Sequence, residues 1–400
     1  MENGYTERAK AGLQLAALYV RSIGKWLVLA VAVGLVCGVI GTAFHVGVHE
    51  ATLLRGEHPW LLWCLPLAGL VIVGFYKLTK TEGQGTNAVI DEVHLGKGLP
   101  ILLLPAIFLG TVLTHLCGGS AGREGAALQM GGTIGFHTGR LFRLDDKDLR
   151  IATLAGMAAF FSALFGTPLT AALTAYGVSL LLGVEPTRFT VEMPALAAGT
   201  MLRVGVLAVL CALVSVLFCG VMHTAEHLMD RYFPNAWMRV AAGGFAVIAL
   251  TYLCGTTDYN GAGMEVVTAA VEQGTAHPAA FLLKLLFTAV TLAAGFKGGE
   301  VVPSFFVGAA FGCVAAQALG LPGGFGAAIG LIAVFCGAVN CPIASVLLSI
   351  ELFGGSGGVL YFAFACAISY VLSGYCGLYS SQTILYSKLR AEFINVHAKE

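Results

Sequence analysis

Long apolar runs separated by short polar segments dominate this chain of 400 residues. A run of about 20 apolar residues is needed to cross a bilayer core of about 30 Å as a helix. The clearest runs predict membrane-spanning helices at 26–48, 60–78, 99–117, 203–222, 237–254, 278–296, 326–338 and 356–376.

Other apolar runs are too short for a vertical crossing and are interrupted by glycine or proline. They lie at 151–165, 168–183, 301–313 and 342–354. Irregular backbone at membrane depth is tolerated only where protein buries it or where it lines a cavity. We therefore expect these runs to form broken helices that surround an internal site.

Two of the interrupted segments occur twice along the chain. The segments that begin "GREG" and "GGEV" align around Glu124 and Glu300, at an offset of 176 residues. The apolar segments downstream align around Pro168 and Pro342, at an offset of 174 residues. Interrupted helices at corresponding positions of two halves indicate the binding site of a transporter. The pattern itself leaves open whether the halves are inverted or parallel.

The repeat divides the chain into four parts. We expect a cytoplasmic N-terminal segment at 1–25, transmembrane repeats at 26–190 and 191–385, and a cytoplasmic C-terminal tail at 386–400. Lysine and arginine cluster in both terminal segments, and basic residues favour the cytoplasmic side of a membrane. Both termini are therefore predicted to be cytoplasmic.

Composition supports a membrane protein and narrows its chemistry. Hydrophobic residues make up 57% of the chain and charged residues 11%, with a mean hydropathy of +0.83. Soluble proteins carry about 25% charged residues. The net charge is zero, and without a basic stripe nucleic-acid binding is excluded. The 11 cysteines include no CxxC pair, so we expect no metal or other cofactor.

Three glycine-rich segments, at 83–89, 119–125 and 298–303, are candidates for helix starts. The first N–H groups of a helix are unpaired and carry positive partial charge. Glycine leaves these donors open, so helix starts near the membrane midplane can bind an anion without a lysine.

An ionisable side chain inside a membrane is costly and indicates function. Glu124 stands at one of the predicted helix starts, where its carboxylate resembles a bound anion. It could occupy the site when ionised and leave it when protonated, which would couple protons to anions. The alternatives are that Glu124 pairs with Arg123 or caps a helix.

The other polar residues of these segments have two interpretations each. Glu300 could carry protons, but it could instead cap its helix or bond a neighbouring polar group as structural support. Thr86 and Asn87 can donate hydrogen bonds to an anion. Both are also favoured as N-caps.

These motifs resemble those of the CLC family of anion channels and proton-coupled anion antiporters. "GREG" matches the family's G-[KR]-E-G motif, which gives Glu124 the role of anion gate and proton carrier. "GGEVVP" stands where the family has G-G-x-F-x-P, and "GQGTN" stands where halide-transporting members have G-S-G-I-P. "GLYSSQ" looks like the segment with the pore tyrosine and points to Tyr379, whereas Tyr386 is a poorer match.

The resemblance implies an all-α, polytopic membrane protein with a CLC-type fold. In that fold, two inverted halves bring broken helices together at the membrane midplane. It also implies a homodimer with one pore in each subunit, in a bacterial inner membrane. The anion-binding positions that it implies are Gly85, Thr86, Asn87, Gly122, Arg123, Gly125, Val301, Val302 and Tyr379.

Departures from the common motifs resemble the fluoride-exporting bacterial clade. The serine and the following Ile-Pro of G-S-G-I-P are absent, and Gly85, Thr86 and Asn87 stand there. Many members of that clade have methionine at the Thr86 position and threonine at the Val302 position. The resemblance implies fluoride/proton exchange that protects against cytoplasmic fluoride, with chloride as a further possible anion.

Three other functions compete with this interpretation. The chain could be a chloride or nitrate exchanger, or a passive anion channel, of the same fold. "GGSAG" matches the G-x-S-x-G pattern of serine hydrolases, with Ser120 as nucleophile and with His115 and His137 nearby in sequence. That motif needs a strand-to-helix turn, whereas apolar helices are expected on both sides here. A purely structural protein would have no reason to repeat acidic, glycine-broken segments.

Overall fold

The structure is a computed structural model that describes residues 2–165, 173–355 and 357–398. Within these residues the chain forms fifteen α-helices and one two-stranded hairpin. Pro168, one of the two prolines on which the downstream repeat was aligned, lies outside the described residues.

The first half contains seven helices, and a 3-10 turn at Pro59–Cys64 precedes the second of them. These helices are α1 (Glu2–Glu57), α2 (Leu65–Leu78), α3 (Thr86–Leu95), α4 (Leu103–Leu116), α5 (Glu124–Leu141), α6 (Asp146–Phe165) and α7 (Leu173–Leu181).

The second half repeats the order of the first, and a π-helical turn at Ala269–Gln273 follows its third helix. Its helices are α8 (Ala198–Tyr232), α9 (Ala236–Cys254), α10 (Met264–Thr268), α11 (Ala280–Ala293), α12 (Val301–Ala318), α13 (Gly323–Val339) and α14 (Pro342–Leu352). A last helix, α15 (Val359–Leu372), packs on α8, α13 and α14.

The predicted apolar runs all contain helices, but several bounds differ. The longest helix, α1, includes most of the segment at 1–25 that was predicted to be a separate cytoplasmic piece. No proline occurs before Pro59, so nothing in the backbone forces this helix to end earlier. In the described part of the chain, six helical segments are long and apolar enough to cross a membrane.

Glycine brings the central helices of each half into backbone contact. A Cβ atom on Gly156 of α6 would lie 2.1 Å from the carbonyl oxygen of Gly131 in α5. The same contact recurs in the second half, where a Cβ on Gly330 of α13 would lie 2.2 Å from the carbonyl oxygen of Gly308 in α12. Small residues allow membrane helices to approach this closely. The two glycine contacts therefore set the distance of α5 from α6 and of α12 from α13.

The segment at 386–400, predicted to be a C-terminal tail, contains most of a β-hairpin. Strand β1 (Thr383–Tyr386) pairs antiparallel with β2 (Phe393–His397). Lys388, in the turn between the strands, donates hydrogen bonds to the carbonyl oxygen of Tyr370 at 2.8 Å and to Ser373 Oγ at 3.3 Å. The hairpin is thereby attached to the end of α15.

Candidate functional site

The two repeated glycine motifs meet at a short backbone bridge. The N–H of Gly122 donates to the carbonyl oxygen of Gly299, and the N–H of Gly299 donates to that of Gly122, both at 2.7 Å. A Cβ on Gly299 would lie 2.3 Å from the backbone nitrogen of Gly125, so a side chain at this position would block the contact. The bridge is antiparallel and reciprocal, which is the pattern expected at a local two-fold axis between the halves.

The bridge corrects the alignment of the two acidic motifs by one residue. The first residues of corresponding helices are Leu103 and Ala280, Glu124 and Val301, and Asp146 and Gly323, and each pair is 177 positions apart. The bridged glycines are also 177 positions apart. The offset of 176 that matched Glu124 with Glu300 is therefore wrong as a structural equivalence.

In the structural register, Glu300 corresponds to Arg123. Both are N-cap residues with similar backbone angles, φ −112° and ψ −10° for Arg123 and φ −97° and ψ −12° for Glu300. Glu124 and Val301 are the first residues of α5 and α12. Glutamate matching glutamate misled the sequence alignment, because one residue along a helix turns the side-chain direction by about 100°.

The carboxylate of Glu124 lies where two helix starts converge. Its Oε2 atom accepts a hydrogen bond from the backbone N–H of Arg123 at 2.8 Å. The backbone N–H groups of Glu124 and Val302 also act on this carboxylate. The Arg123 Nε atom lies 3.7 Å from Oε1, so the predicted pairing with Arg123 is present as well. The Glu124 residue is only 1% exposed.

Glu124 lines a cavity of about 940 Å³, which we call the Glu124 cavity. Arg123 and Val302 also line it, together with the C-terminal part of α1 and the loop after α9. The loop is hydrogen-bonded to the segment that leads to Glu124: Asn260 Nδ2 donates to the carbonyl oxygen of Gly118 at 2.7 Å. This face of the site therefore combines a buried carboxylate, a guanidinium and open volume.

Glu300 lines a second cavity of about 400 Å³, the Glu300 cavity. Glu300 is the N-cap residue of α12, but its side chain forms no hydrogen bond to the start of that helix. The alternative in which the Glu300 side chain caps α12 is therefore wrong. Lys297, Glu226 and Tyr379 line the same cavity. The Glu226 carboxylate acts electrostatically on both Glu300 and Lys297.

The start of α3 also faces the Glu300 cavity. Gly85, not Thr86 or Asn87, is the N-cap, and no side chain caps this helix. Thr86 Oγ1 accepts a hydrogen bond from Gln129 Nε2 at 3.2 Å, which leaves the threonine proton free to be donated. Asn87 Nδ2 donates to Ser380 Oγ at 3.2 Å, so the amide connects α3 to the loop after α15.

The two candidate tyrosines have different environments. Tyr379 is 6% exposed, and its hydroxyl group has no hydrogen-bond partner among the described residues. Both Glu124 and Glu300 act electrostatically on this hydroxyl group. Tyr386 is 64% exposed and packs against Phe393 within the hairpin. Tyr379 thus lines the Glu300 cavity with a buried hydroxyl group that has no partner among the described residues.

The remaining candidate positions lie between the two cavities. Gly122, Gly125 and Val301 are buried beside the bridge, and Val301 accepts a bond from Ser304 Oγ through its carbonyl oxygen at 2.6 Å. The structure therefore brings the predicted residues together in three groups: the Glu124 side, the Glu300 side and the bridge that separates them.

The hydrolase interpretation of Ser120 does not fit the observed contacts. Ser120 is buried and its Oγ atom bonds to Thr288 Oγ1 at 3.0 Å. The ring of His115 bonds to the carbonyl oxygen of Thr111, and that of His137 to the carbonyl oxygen of Leu99, both at 2.9 Å. Neither imidazole is bonded to the serine, which a general base would need.

Sequence reasoning missed several polar residues of the site. Gln129 stands five residues after Glu124 in the glycine-rich helix α5, and its Oε1 atom is buried without a partner. His45 stands within the first apolar run, and it lines the Glu124 cavity. In the sequence, both His45 and Gln129 are isolated polar residues in apolar surroundings. This criterion would have identified them, but it was used only for the glutamates.

Comparison with known proteins places this geometry in a family. A model of the family described as "Voltage gated chloride channel" matches residues 68–201 and 169–374. The "Chloride/fluoride channel protein" of Pseudomonas syringae pv. tomato is 34% identical, over 92% of this chain and 88% of the relative. The chain belongs to the CLC family. A more distant member, the "H(+)/Cl(-) exchange transporter ClcA" of Vibrio cholerae serotype O1, is 24% identical over 82% of this chain and 81% of its own.

Solved CLC structures have the same fold. A CLC-type fluoride/proton antiporter superimposes with a TM-score of 0.85 at 30% identity, covering 89% of this chain and 96% of the other. A slow cyanobacterial Cl−/H+ antiporter superimposes with a TM-score of 0.76 at 20% identity, covering 87% and 94%. The predicted all-α CLC-type fold of two inverted halves is thereby confirmed, with the small hairpin added. The chain is a multi-pass ion transport protein and not an enzyme.

Proposed function

We propose that this CLC protein exports fluoride in exchange for protons, with Glu124 as both anion gate and proton carrier. One observation carries the proposal: a single carboxylate occupies the point where the starts of α5 and α12 converge. Backbone N–H groups at helix starts bind anions. A transported anion therefore competes with the ionised Glu124 side chain for the same donors.

Protonation couples the two movements. Once Glu124 is neutral, its attraction to the N–H groups and to the Arg123 guanidinium falls, because hydrogen bonds to a charged group are about twice as strong. The neutral side chain then leaves the donors to the anion. The Glu124 cavity lies beside the carboxylate. While the side chain faces this cavity, it exchanges its proton with the solution on that side of the membrane and not with the solution on the other side.

Fluoride is the anion that the polar groups of the Glu300 cavity favour. It is small and strongly hydrated, so its water must be replaced by close and strong donors. The free proton of Thr86 and the unpaired hydroxyl group of Tyr379 are two such donors. Two of the similar proteins support this choice of anion: one is a CLC-type fluoride/proton antiporter, and the name of the other gives both chloride and fluoride.

The other site residues take supporting roles in this proposal. Gly85, Gly125, Val301 and Val302 present backbone N–H groups at the three helix starts. Gly122 holds two of these starts together through its bridge to Gly299. Asn87 holds the Tyr379 loop against α3, and Glu300 supports the polar network of its cavity. The halves at 26–190 and 191–385 act as the two transport repeats.

The setting follows from the same proposal. We place the protein in a bacterial inner membrane as a homodimer, with both termini in the cytoplasm. The C-terminal end of α1, and with it the Glu124 cavity, would then face outward, and the Glu300 cavity would face the cytoplasm. Fluoride resistance of the cell is the expected physiological effect.

The decisive experiment compares fluoride and chloride efflux from proteoliposomes while the internal pH is recorded. Fluoride efflux accompanied by proton uptake, with chloride efflux at least tenfold slower, is the expected result. Coupled chloride movement at an equal or higher rate would instead support the chloride exchanger. Anion efflux that leaves the pH unchanged would support the passive channel. Liposomes without protein give the leak rate of hydrogen fluoride.

A further inference from the structure

A line of polar residues runs along one face of α1. The stripe consists of Thr42, His45, His49, Thr52 and Arg55, which follow one another at spacings of three or four residues in the C-terminal part of α1. Residues at this spacing share one helix face. The last four of them line the Glu124 cavity. The stripe therefore leads from the end of α1 into the protein beside the gate.

Two histidines on the cavity wall have an unpaired ring nitrogen. His45 Nδ1 and His115 Nε2 are both buried, and neither has a hydrogen-bond partner among the described residues. The other nitrogen of His115 bonds to the carbonyl oxygen of Thr111 and must carry the hydrogen there. Its Nε2 atom is therefore a bare acceptor in the neutral ring. A buried acceptor without a partner costs about 1–3 kcal/mol, so such groups require an explanation.

Cationic side chains surround these two rings, and one of them is the neighbour of Glu124. Arg123, the neighbour of Glu124, acts electrostatically on both His45 and His115. His49 is the further titratable group that acts on His45. Arg55 and Lys284 act on His115.

The two cations near His115 are held by backbone oxygens. Arg55 Nη1 donates to the carbonyl oxygen of His115 at 3.0 Å, and Lys284 Nζ donates to that of Gly261 at 2.6 Å. The acidic groups on the cavity wall are Glu124, Asp258 and Glu265.

We propose that His45 and His115 relay protons between the water of the Glu124 cavity and the Glu124 carboxylate. A proton from water adds to the bare ring nitrogen and gives an imidazolium ion. The same proton then passes through the water of the Glu124 cavity to the carboxylate of Glu124, and the neutral imidazole is restored. No other bond forms or breaks.

The inference rests on the proposed proton coupling, and its test separates the two. His45→Ala and His115→Ala are reconstituted in proteoliposomes, and proton and fluoride fluxes are measured while the pH on the Glu124-cavity side is varied from about 5 to 8. We expect proton flux to fall about tenfold or more in each variant, as for loss of a general acid–base group. The dependence of the rate on pH should also be flattened.

Imidazole rescue distinguishes a relay from a structural role. Millimolar imidazole in the bath on the cavity side should restore most of the flux of His45→Ala, because that variant enlarges a cavity already open to small molecules. His137→Ala is the matched control: its ring is also half-buried and bonded to a backbone carbonyl oxygen, but it does not line either cavity. His137→Ala should show no change and no effect of imidazole.

Two results would overturn the relay. One is a wild-type rate and pH profile in both alanine variants. The other is slow flux that imidazole does not restore and whose pH profile keeps the wild-type shape. His45→Gln replaces the alanine variant if that protein does not fold, and the same pH profile decides the outcome. If the wild-type protein moves no protons, the proposed function has failed; if it does and only the histidine variants behave as wild type, the relay alone has failed.

Discussion

Glu124 and Glu300 come from repeated motifs, yet the structure gives them opposite environments. Glu124 is the first residue of α5, is bound by backbone N–H groups and lines the larger cavity. Glu300 is one position earlier on its helix start, forms no capping bond and lines the smaller cavity. One step of register, together with the two-fold relation of the halves, places the two carboxylates on different sides of the glycine bridge.

The difference shows that a repeated motif need not repeat a role. The backbone is duplicated closely: both helix starts have similar N-cap angles, and α5 and α12 both have 18 residues. The side chains are not duplicated, since Arg123 stands opposite Glu300 and Val301 stands opposite Glu124 in the structural register. The fold supplies two equivalent helix starts, and only one of them carries its own carboxylate at the N–H groups.

Removing each charge in turn is the strongest test of this contrast. Glu124→Gln should reduce proton flux in proteoliposomes to the level of protein-free liposomes, because the amide can no longer carry a proton. Anion flux should persist. Glu300→Gln should keep measurable proton flux, since that side chain does not occupy the converging N–H groups. Proton flux that survives in Glu124→Gln would contradict the assignment of the gate.

The glycine contacts test whether the two halves are held in the same way. Gly156→Ala and Gly330→Ala should each destabilise the protein by about 1–3 kcal/mol, the usual cost of overpacking, because the added carbon would overlap a backbone oxygen. Thermal unfolding in detergent, followed by intrinsic fluorescence, measures the effect. Gly220→Ala is the control, since a Cβ there would contact nothing within 4 Å. If Gly156→Ala destabilised the protein and Gly330→Ala did not, the two glycine contacts would not be equivalent.

The hydroxyl group of Tyr379 tests the Glu300 side of the contrast. Tyr379→Phe should weaken apparent fluoride affinity about fivefold, which corresponds to one hydrogen bond of about 1 kcal/mol. Stability should not fall, because the hydroxyl group has no partner within the described protein. Fluoride-dependent flux over a concentration series measures the change. Tyr386→Phe should leave the affinity unchanged, and an equal effect of both variants would remove Tyr379 from the anion path.

The smallest expected effects come from polar changes on the two sides of the bridge. Thr86→Ala should lower the fluoride-to-chloride flux ratio by about threefold to fivefold, by removing one donor worth about 1 kcal/mol. Val302→Thr adds a hydroxyl group on the Glu124 side and should change the ratio less than Thr86→Ala. Efflux of both anions from the same vesicles measures the ratio. An unchanged ratio in Thr86→Ala would exclude Thr86 from selectivity.

Much of this architecture could be predicted from the sequence because the physical signals are local. A bilayer demands long apolar helices, and each clear apolar run does contain one. An ionisable residue in such surroundings is costly, which singled out Glu124. The boundaries were less accurate: the segment at 1–25 continues into α1, and the C-terminal tail forms a hairpin whose pairing depends on contacts with α15.

The sequence by itself therefore determined the membrane class, the two repeated halves and the buried carboxylate at the start of α5, since composition, periodicity and the cost of buried charge are properties of short segments. Only the tertiary structure decided the register of the repeat, which of two tyrosines faces the site and which histidines line the gate cavity. These depend on the reciprocal contact of Gly122 with Gly299, and on which helix faces meet around two separate cavities. The spacing of residues along one segment encodes neither the glycine contact nor the meeting of these helix faces.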